Sequence, residues 1–186
     1  EIADKEVCLS TDSIDLEINS DNLIIKAANL LKKFINKKDL GAKINLKKNI
    51  PIGAGMAGGS TDAAATLIGL NKLWNLNLNY SDIYKISCEL GSDVPFCLKG
   101  GSKFCFGRGE ILENAKFKGK LGLILLKDPN SLVSTAETYK KYSSSSNQSN
   151  MNDLNTKRNN LRTNSFFNSD DFIKNQGWLK SKEAGK

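Results

Sequence analysis

The sequence predicts an α+β fold, and three observations carry the prediction. Ala42, Ile44 and Leu46 alternate with Lys43, Asn45 and Lys47, the pattern of a half-exposed strand and not of one buried in a parallel sheet. Leu23, Ile24, Ala27, Leu30, Leu31 and Phe34 recur at helical spacing. Residues 50–65, IPIGAGMAGGSTDAAA, then run from a strand end through a glycine-rich loop into a helix.

The elements follow in chain order. Residues 1–19 read as strand fragments around Val7-Cys8-Leu9 and Ile14-Asp15-Leu16-Glu17-Ile18, the second alternating so that one face is buried. Ser20 reads as the N-cap of the first helix, with Lys37, Lys38 and Gly41 as its stop signals. After the glycine loop, a helix is expected from Ser60 to about Trp74, carrying Ala64, Leu67, Ile68 and Leu70. Asn75–Tyr80 reads as a loop, Ser81 as the cap of a third helix bearing Ile83, Ile86 and Leu90, and Gly91 as its stop. Ser102–Phe106 and Ile111-Leu112 read as a hairpin across Gly107-Arg108-Gly109-Glu110. Leu121–Leu126 is a continuous apolar run expected as a buried strand, and Ser134-Thr135-Ala136-Glu137 fits a capping box. From Ser143 the composition turns low-complexity and polar, so residues 1–142 are expected as one domain and 143–186 as a polar linker and tail, with no internal repeat.

Composition narrows the function classes. The 186 residues carry a net charge of +7 and no histidine. Cys8, Cys88, Cys97 and Cys105 form no C-x-x-C pair, so reduced thiols in a cytosol-like compartment are expected and a zinc site is not. No signal peptide is expected, and no apolar run approaches membrane-spanning length. The basic excess sits in pairs such as Lys32-Lys33, Lys37-Lys38, Lys47-Lys48 and Lys140-Lys141. They read as solvated faces and also suit a polyanionic small ligand; aromatics are not interleaved as on a nucleic-acid surface. The abundant asparagine reads as base composition rather than as function.

The loop itself is an anion site by construction. Glycine admits close approach to the backbone, and a helix N-terminus points free N–H groups and a positive partial charge at one spot. A Walker A loop fails because Gly59 stands where the lysine should be. Gly53, Gly55 and Gly58 spell a dinucleotide G-x-G-x-x-G, but the preceding strand alternates and Lys48-Asn49-Ile50-Pro51 intervenes. Pro51, Gly55, Met56, Gly59, Ser60, Thr61 and Ala63 instead resemble the loop of the GHMP kinases. Three further blocks sharpen the resemblance: Leu90–Gly101 (LGSDVPFCLKGG), Gly107–Glu110 (GRGE) and Val133–Tyr142 (VSTAETYKKY). Together with the loop they are similar to the branch of that superfamily that phosphorylates 4-diphosphocytidyl-2-C-methyl-D-erythritol.

The resemblance covers about the first three-quarters of the chain and carries several implications. The fold would be a GHMP kinase N-terminal domain, a mixed sheet with packed helices shared with a ribosomal protein domain. The reaction would move the γ-phosphoryl of ATP, brought as its Mg²⁺ complex, to the 2-hydroxyl of that small-molecule substrate in the non-mevalonate isoprenoid pathway. Pro51, Ile52, Gly53, Ala54, Gly55, Met56, Ala57, Gly58, Gly59, Ser60 and Thr61 would bind the ATP phosphates, with Ser60 or Thr61 near the cation. On its own residues Asp93 reads as a helix cap ahead of Pro95; the resemblance makes it the catalytic carboxylate. Asp62 reads as an acid in a first helical turn. The location would be bacterial cytosol or plastid stroma, with neither nucleic acid nor membrane as partner. The family's N-terminal lysine motif, N-terminal strand pair and second glycine motif have no match here, so a fragment lacking both ends, inactive alone, is expected. Another GHMP-type small-molecule kinase, or a non-catalytic nucleotide- or RNA-binding module, is the alternative.

Overall fold

The computed structural model describes residues 5–115 together with 2–3, 117–118, 122–128, 134, 137–138, 140–141 and 167–168. Its main elements are β1 (Ile2–Ala3), β2 (Val7–Thr11), α1 (Leu23–Phe34), β3 (Gly41–Leu46), α2 (Gly58–Leu73), α3 (Tyr80–Leu90), α4 (Val94–Lys99), β4 (Lys103–Phe106) and β5 (Ile111–Asn114). The class is α+β, as predicted. β3 is the centre of a three-stranded mixed sheet, with β1 antiparallel on one side and β2 parallel on the other. Val7 stands opposite Ala42 and Leu9 opposite Ile44, so the apolar members share one face. Parallel neighbours need a crossover, and α1 supplies it.

The core gathers under that sheet face. α1 contributes Ala27, Ala28 and Leu31, α2 contributes Ala63, Ala64, Leu67 and Leu70, and Ile83, Ile86, Val94 and Ala42 complete it. Alanines on the packed faces of α1 and α2 leave few side-chain atoms between the two helices. α4 packs on both α2 and α3. The indole Nε1–H of Trp74 donates to the Gly41 carbonyl at 3.0 Å, which ties the far end of α2 to the start of β3. The near end of α2 is thereby left at the exit of β3, where the glycine loop lies.

Four local expectations need correction. Ile14–Ile18 forms no strand, and Ile14 is 98% exposed. β2 stops at Thr11 because the Thr11 hydroxyl accepts from the Ser13 N–H and the Asp12 carboxylate accepts from the Lys48 N–H at 2.9 Å, side-chain bonds that replace the ladder. The cap of α1 is Asn22, not Ser20, with Oδ1 accepting from the Ile24 N–H at 3.0 Å. The cap of α3 is Asn79, not Ser81, with Oδ1 accepting from the Asp82 N–H at 3.0 Å. The apolar run is also not a buried strand: residues 122–128 have no regular structure, and Leu123, Ile124, Leu125 and Leu126 are exposed, since no described strand pairs with them. Leu121 and the boundary expected at 142/143 lie outside the described residues. The capping box is half made, with Ser134 Oγ accepting from the Glu137 N–H at 3.3 Å.

Candidate active site

The glycine loop and its helix form as the composition dictates. Gly53 and Gly55 take φ of 65° and 69°, left-handed conformations that cost glycine nothing. A Cβ at Gly55 would meet nothing within 4 Å, so open space lies over that part of the loop. α2 begins at Gly58, two residues ahead of the predicted Ser60. Its N-cap, Ala57, has φ 52°, and no side chain caps the helix. The first-turn N–H groups of Gly58, Gly59 and Ser60 are therefore offered by the helix end without a capping oxygen. That is the arrangement an oligophosphate fits.

A second group sits where the sequence shows only a charged pair. Lys48 Nζ forms an ion pair with the Asp62 carboxylate, and the two side chains are only 7% and 20% exposed. Lys47-Lys48 is thus not simply a solvated face, and Asp62 is not an acid in a first turn: α2 starts at Gly58, which puts Asp62 one turn further in. The same ammonium lies 3.1 Å from where a Gly58 Cβ would stand, directly beside the helix end. The pair fastens the segment after β3 to the N-terminal half of α2. Asp62→Ala leaves the buried ammonium without its counter-charge and is expected to cost about 2–4 kcal/mol in urea unfolding, with Lys48→Met in the same chain restoring most of it. A loss below about 0.5 kcal/mol would place the pair with ordinary surface ion pairs.

Asp93 stands at the start of α4, exposed, with φ −89° and ψ −15°, and its side chain caps nothing. The cap role is not realised for a physical reason. Pro95 stands in the first turn and brings no N–H, so α4 has fewer donors to satisfy. The carboxylate is left available. α4 carries it to the glycine loop: the Thr61 hydroxyl donates to the Ala57 carbonyl at 3.0 Å and accepts from the Cys97 thiol at 3.5 Å. The Cys97 N–H in turn donates to the Asp93 carbonyl at 3.0 Å. The loop residues Pro51–Thr61 and Asp93 are thereby linked through the packing of α2 on α4.

Three thiol and phenol groups titrate above their ordinary range. Burial pushes the Cys105 thiol up, and the Asp93 charge adds to the effect, so β4 lies within the field of that carboxylate. Burial also raises Cys88 and Tyr84. All four cysteines are free. Among the described residues no group of three or more Cys, Asp or Glu side chains is placed to hold a metal ion. No described helix is long and apolar enough to cross a membrane.

Residues 22–101 match the family model of the GHMP kinases N terminal domain. The 4-diphosphocytidyl-2-C-methyl-D-erythritol kinase of Prochlorococcus marinus subsp. pastoris is 56% identical over 164 residues, 87% of this chain and 53% of the relative. The protein of the same name from Prochlorococcus marinus strain MIT 9515 is 57% identical over 164 residues, with the same two coverages of 87% and 53%. A crystal structure of 4-(cytidine 5'-diphospho)-2C-methyl-D-erythritol kinase is 32% identical and covers 61% of this chain and 40% of that one, with a TM-score of 0.48. The chain spans about half the length of the curated relatives it matches.

Proposed function

The chain carries the N-terminal domain of the GHMP kinase family, and from that premise we propose that the protein it belongs to transfers the γ-phosphoryl of ATP to the 2-hydroxyl of 4-diphosphocytidyl-2-C-methyl-D-erythritol. One observation carries the reading: an uncapped, glycine-lined helix end is linked through Thr61 and Cys97 to the helix that begins at an unengaged carboxylate, Asp93. Such a pairing suits phosphoryl transfer, in which charge spreads over the oxygens of the moving group and most of the catalysis is positioning and charge stabilisation. The N–H groups of Gly58, Gly59 and Ser60, with the loop from Pro51 through Thr61, hold the phosphates. ATP brings the transferable group and Mg²⁺ as its counter-charge. Asp93 accepts or orients the proton of the attacking hydroxyl. The choice of acceptor is supported by the relatives' names at 56% and 57% identity.

The full-length protein, incubated with MgATP and a panel of acceptors, decides it. ADP release is expected with the diphosphocytidyl substrate and not with homoserine, mevalonate or galactose. Release with one of those three instead would move the protein to another GHMP branch. No turnover with any of them, together with RNA binding that falls steeply with salt, would make the domain a binding module.

A further inference from the structure

The turn Gly107-Arg108-Gly109-Glu110 between β4 and β5 lies outside the glycine loop in sequence, yet it rests on the residue that precedes Asp93. We propose that this turn is a positioning element for the Asp93 carboxylate, moored to α3 through Tyr84. The inference rests on Asp93 being the residue that takes or orients the hydroxyl proton.

Gly109 has φ 123°, and a Cβ built on it would lie 3.1 Å from the Ser92 carbonyl oxygen and 3.4 Å from the Ser92 Cβ. The turn backbone therefore lies close against Ser92, and a side chain at Gly109 would make Ser92 give by a few tenths of an ångström. On its other side the Tyr84 hydroxyl, in the middle of α3, donates to the Glu110 carbonyl. α3 then runs on to Leu90 and leads into Gly91-Ser92-Asp93, so helix, turn and loop brace one another in a closed circuit.

The turn is stiff enough to serve. The Gly109 N–H donates to the Phe106 carbonyl at 3.1 Å, and the Arg108 N–H donates to Glu110 Oε2 at 2.7 Å. The Glu110 carboxylate folds over Gly107, where a Cβ would be 2.8 Å from Oε1 and φ is 70°. Backbone N–H groups of the turn hold that carboxylate below the usual range. Asp93 itself has little local support. Its side chain bonds to no cap position, and the loop ahead of it is closed by a Val94 N–H to Gly91 carbonyl bond of 3.3 Å. Much of what fixes the direction of the carboxylate is then the surface beneath Ser92, and that surface is Gly109.

The test uses the full-length kinase and four measurements: kcat, KM for ATP, KM for the acceptor and the thermal midpoint. Tyr84→Phe removes one hydroxyl and keeps the ring. Gly109→Ala pushes on Ser92. Each is expected to lower kcat by roughly 10- to 100-fold, the cost of misplacing a reacting group by a fraction of an ångström to an ångström. KM for ATP should stay within about twofold, since the phosphate loop is untouched. In an Asp93→Asn background neither change should lower kcat further, because both act through the missing carboxylate. A kcat that barely moves in Tyr84→Phe, or losses that multiply with that of Asp93→Asn, would overturn the positioning role while leaving Asp93 in place. A normal kcat in Asp93→Asn alone would overturn the role of Asp93 and this inference with it. Should Gly109→Ala not fold, Tyr84→Phe carries the test.

Discussion

Asp93→Asn in the full-length protein is expected to lower kcat by about 10²- to 10⁴-fold, the contribution typical of a positioned general base, with ATP affinity and thermal midpoint nearly unchanged. The amide is close to isosteric with the carboxylate and cannot accept a proton at neutral pH. On residue pattern alone, Asp93 reads as the cap of the helix that begins at Val94. The geometry removes the cap role, because the side chain is exposed and makes no cap bond. Little stability is at stake in either direction, and even a genuine cap would tolerate Asn as well as Asp. Paired kcat and thermal-midpoint measurements read the result. An Asn variant that turns over at the normal rate would leave the phosphate loop without a partner base and remove the carboxylate from the reaction.

Gly58→Val should damage both the nucleotide site and the fold. A Cβ at this position would come within 2.9 Å of Ile50 Cγ2 and 3.1 Å of both Ile50 Cβ and Lys48 Nζ. Valine adds two methyls to that collision, so either Ile50 moves or the ammonium leaves Asp62. Overpacking of this kind costs about 1–3 kcal/mol. The N–H of residue 58 is also one of the uncapped donors, and its displacement should weaken ATP by roughly 10- to 100-fold, since hydrogen bonds to charged groups contribute about 1.5–3 kcal/mol. Binding of the diphosphocytidyl substrate should change by less than about twofold, the outcome expected of a loop that holds the nucleotide phosphates and not the acceptor. Gly59→Ala is the control. Its Cβ would meet only Leu23 Cδ1, at 3.5 Å, an ordinary contact in a helix that favours alanine by up to about 1 kcal/mol. Titrations in which Gly58→Val loses both ligands equally would show that the loop does not hold ATP.

The parts of this molecule that can be read from one dimension are those set by local pattern. The glycine-to-alanine switch marked the start of α2, alternation marked β3, and GRGE marked the hairpin turn. What could not be read is set by neighbours in space. Alternation at Ile14, Leu16 and Ile18 and the apolar run ending at Leu126 both look like strands, yet a strand needs a partner edge and none is present among the described residues. Lys48 looked solvated because nothing in its surroundings along the chain reveals Asp62, brought to it by the return of the loop. The caps were a different kind of miss. Asn22 and Asn79 cap as well as serine does, and Asn36, Asn75 and Asn77 adopt positive φ, a conformation asparagine tolerates better than most residues. The asparagine taken for compositional bias therefore does structural work at helix ends. Nor did the link from Thr61 to Cys97 have any signal in spacing, although it ties the phosphate loop to the helix of the carboxylate.

The uncovered stretch at Leu123, Ile124, Leu125 and Leu126 has a colloidal consequence. Four adjoining β-prone side chains in water, without a charge among them, form the kind of segment that adds to its own copy, edge to edge. Lys127 and Asp128 at its end place like charges opposite one another when copies stack parallel and in register, which opposes that arrangement. That brake is electrostatic and weakens as counter-ions accumulate. Concentrated salt would therefore both strengthen the apolar attraction and mute the repulsion, so self-association of this chain should grow with ionic strength.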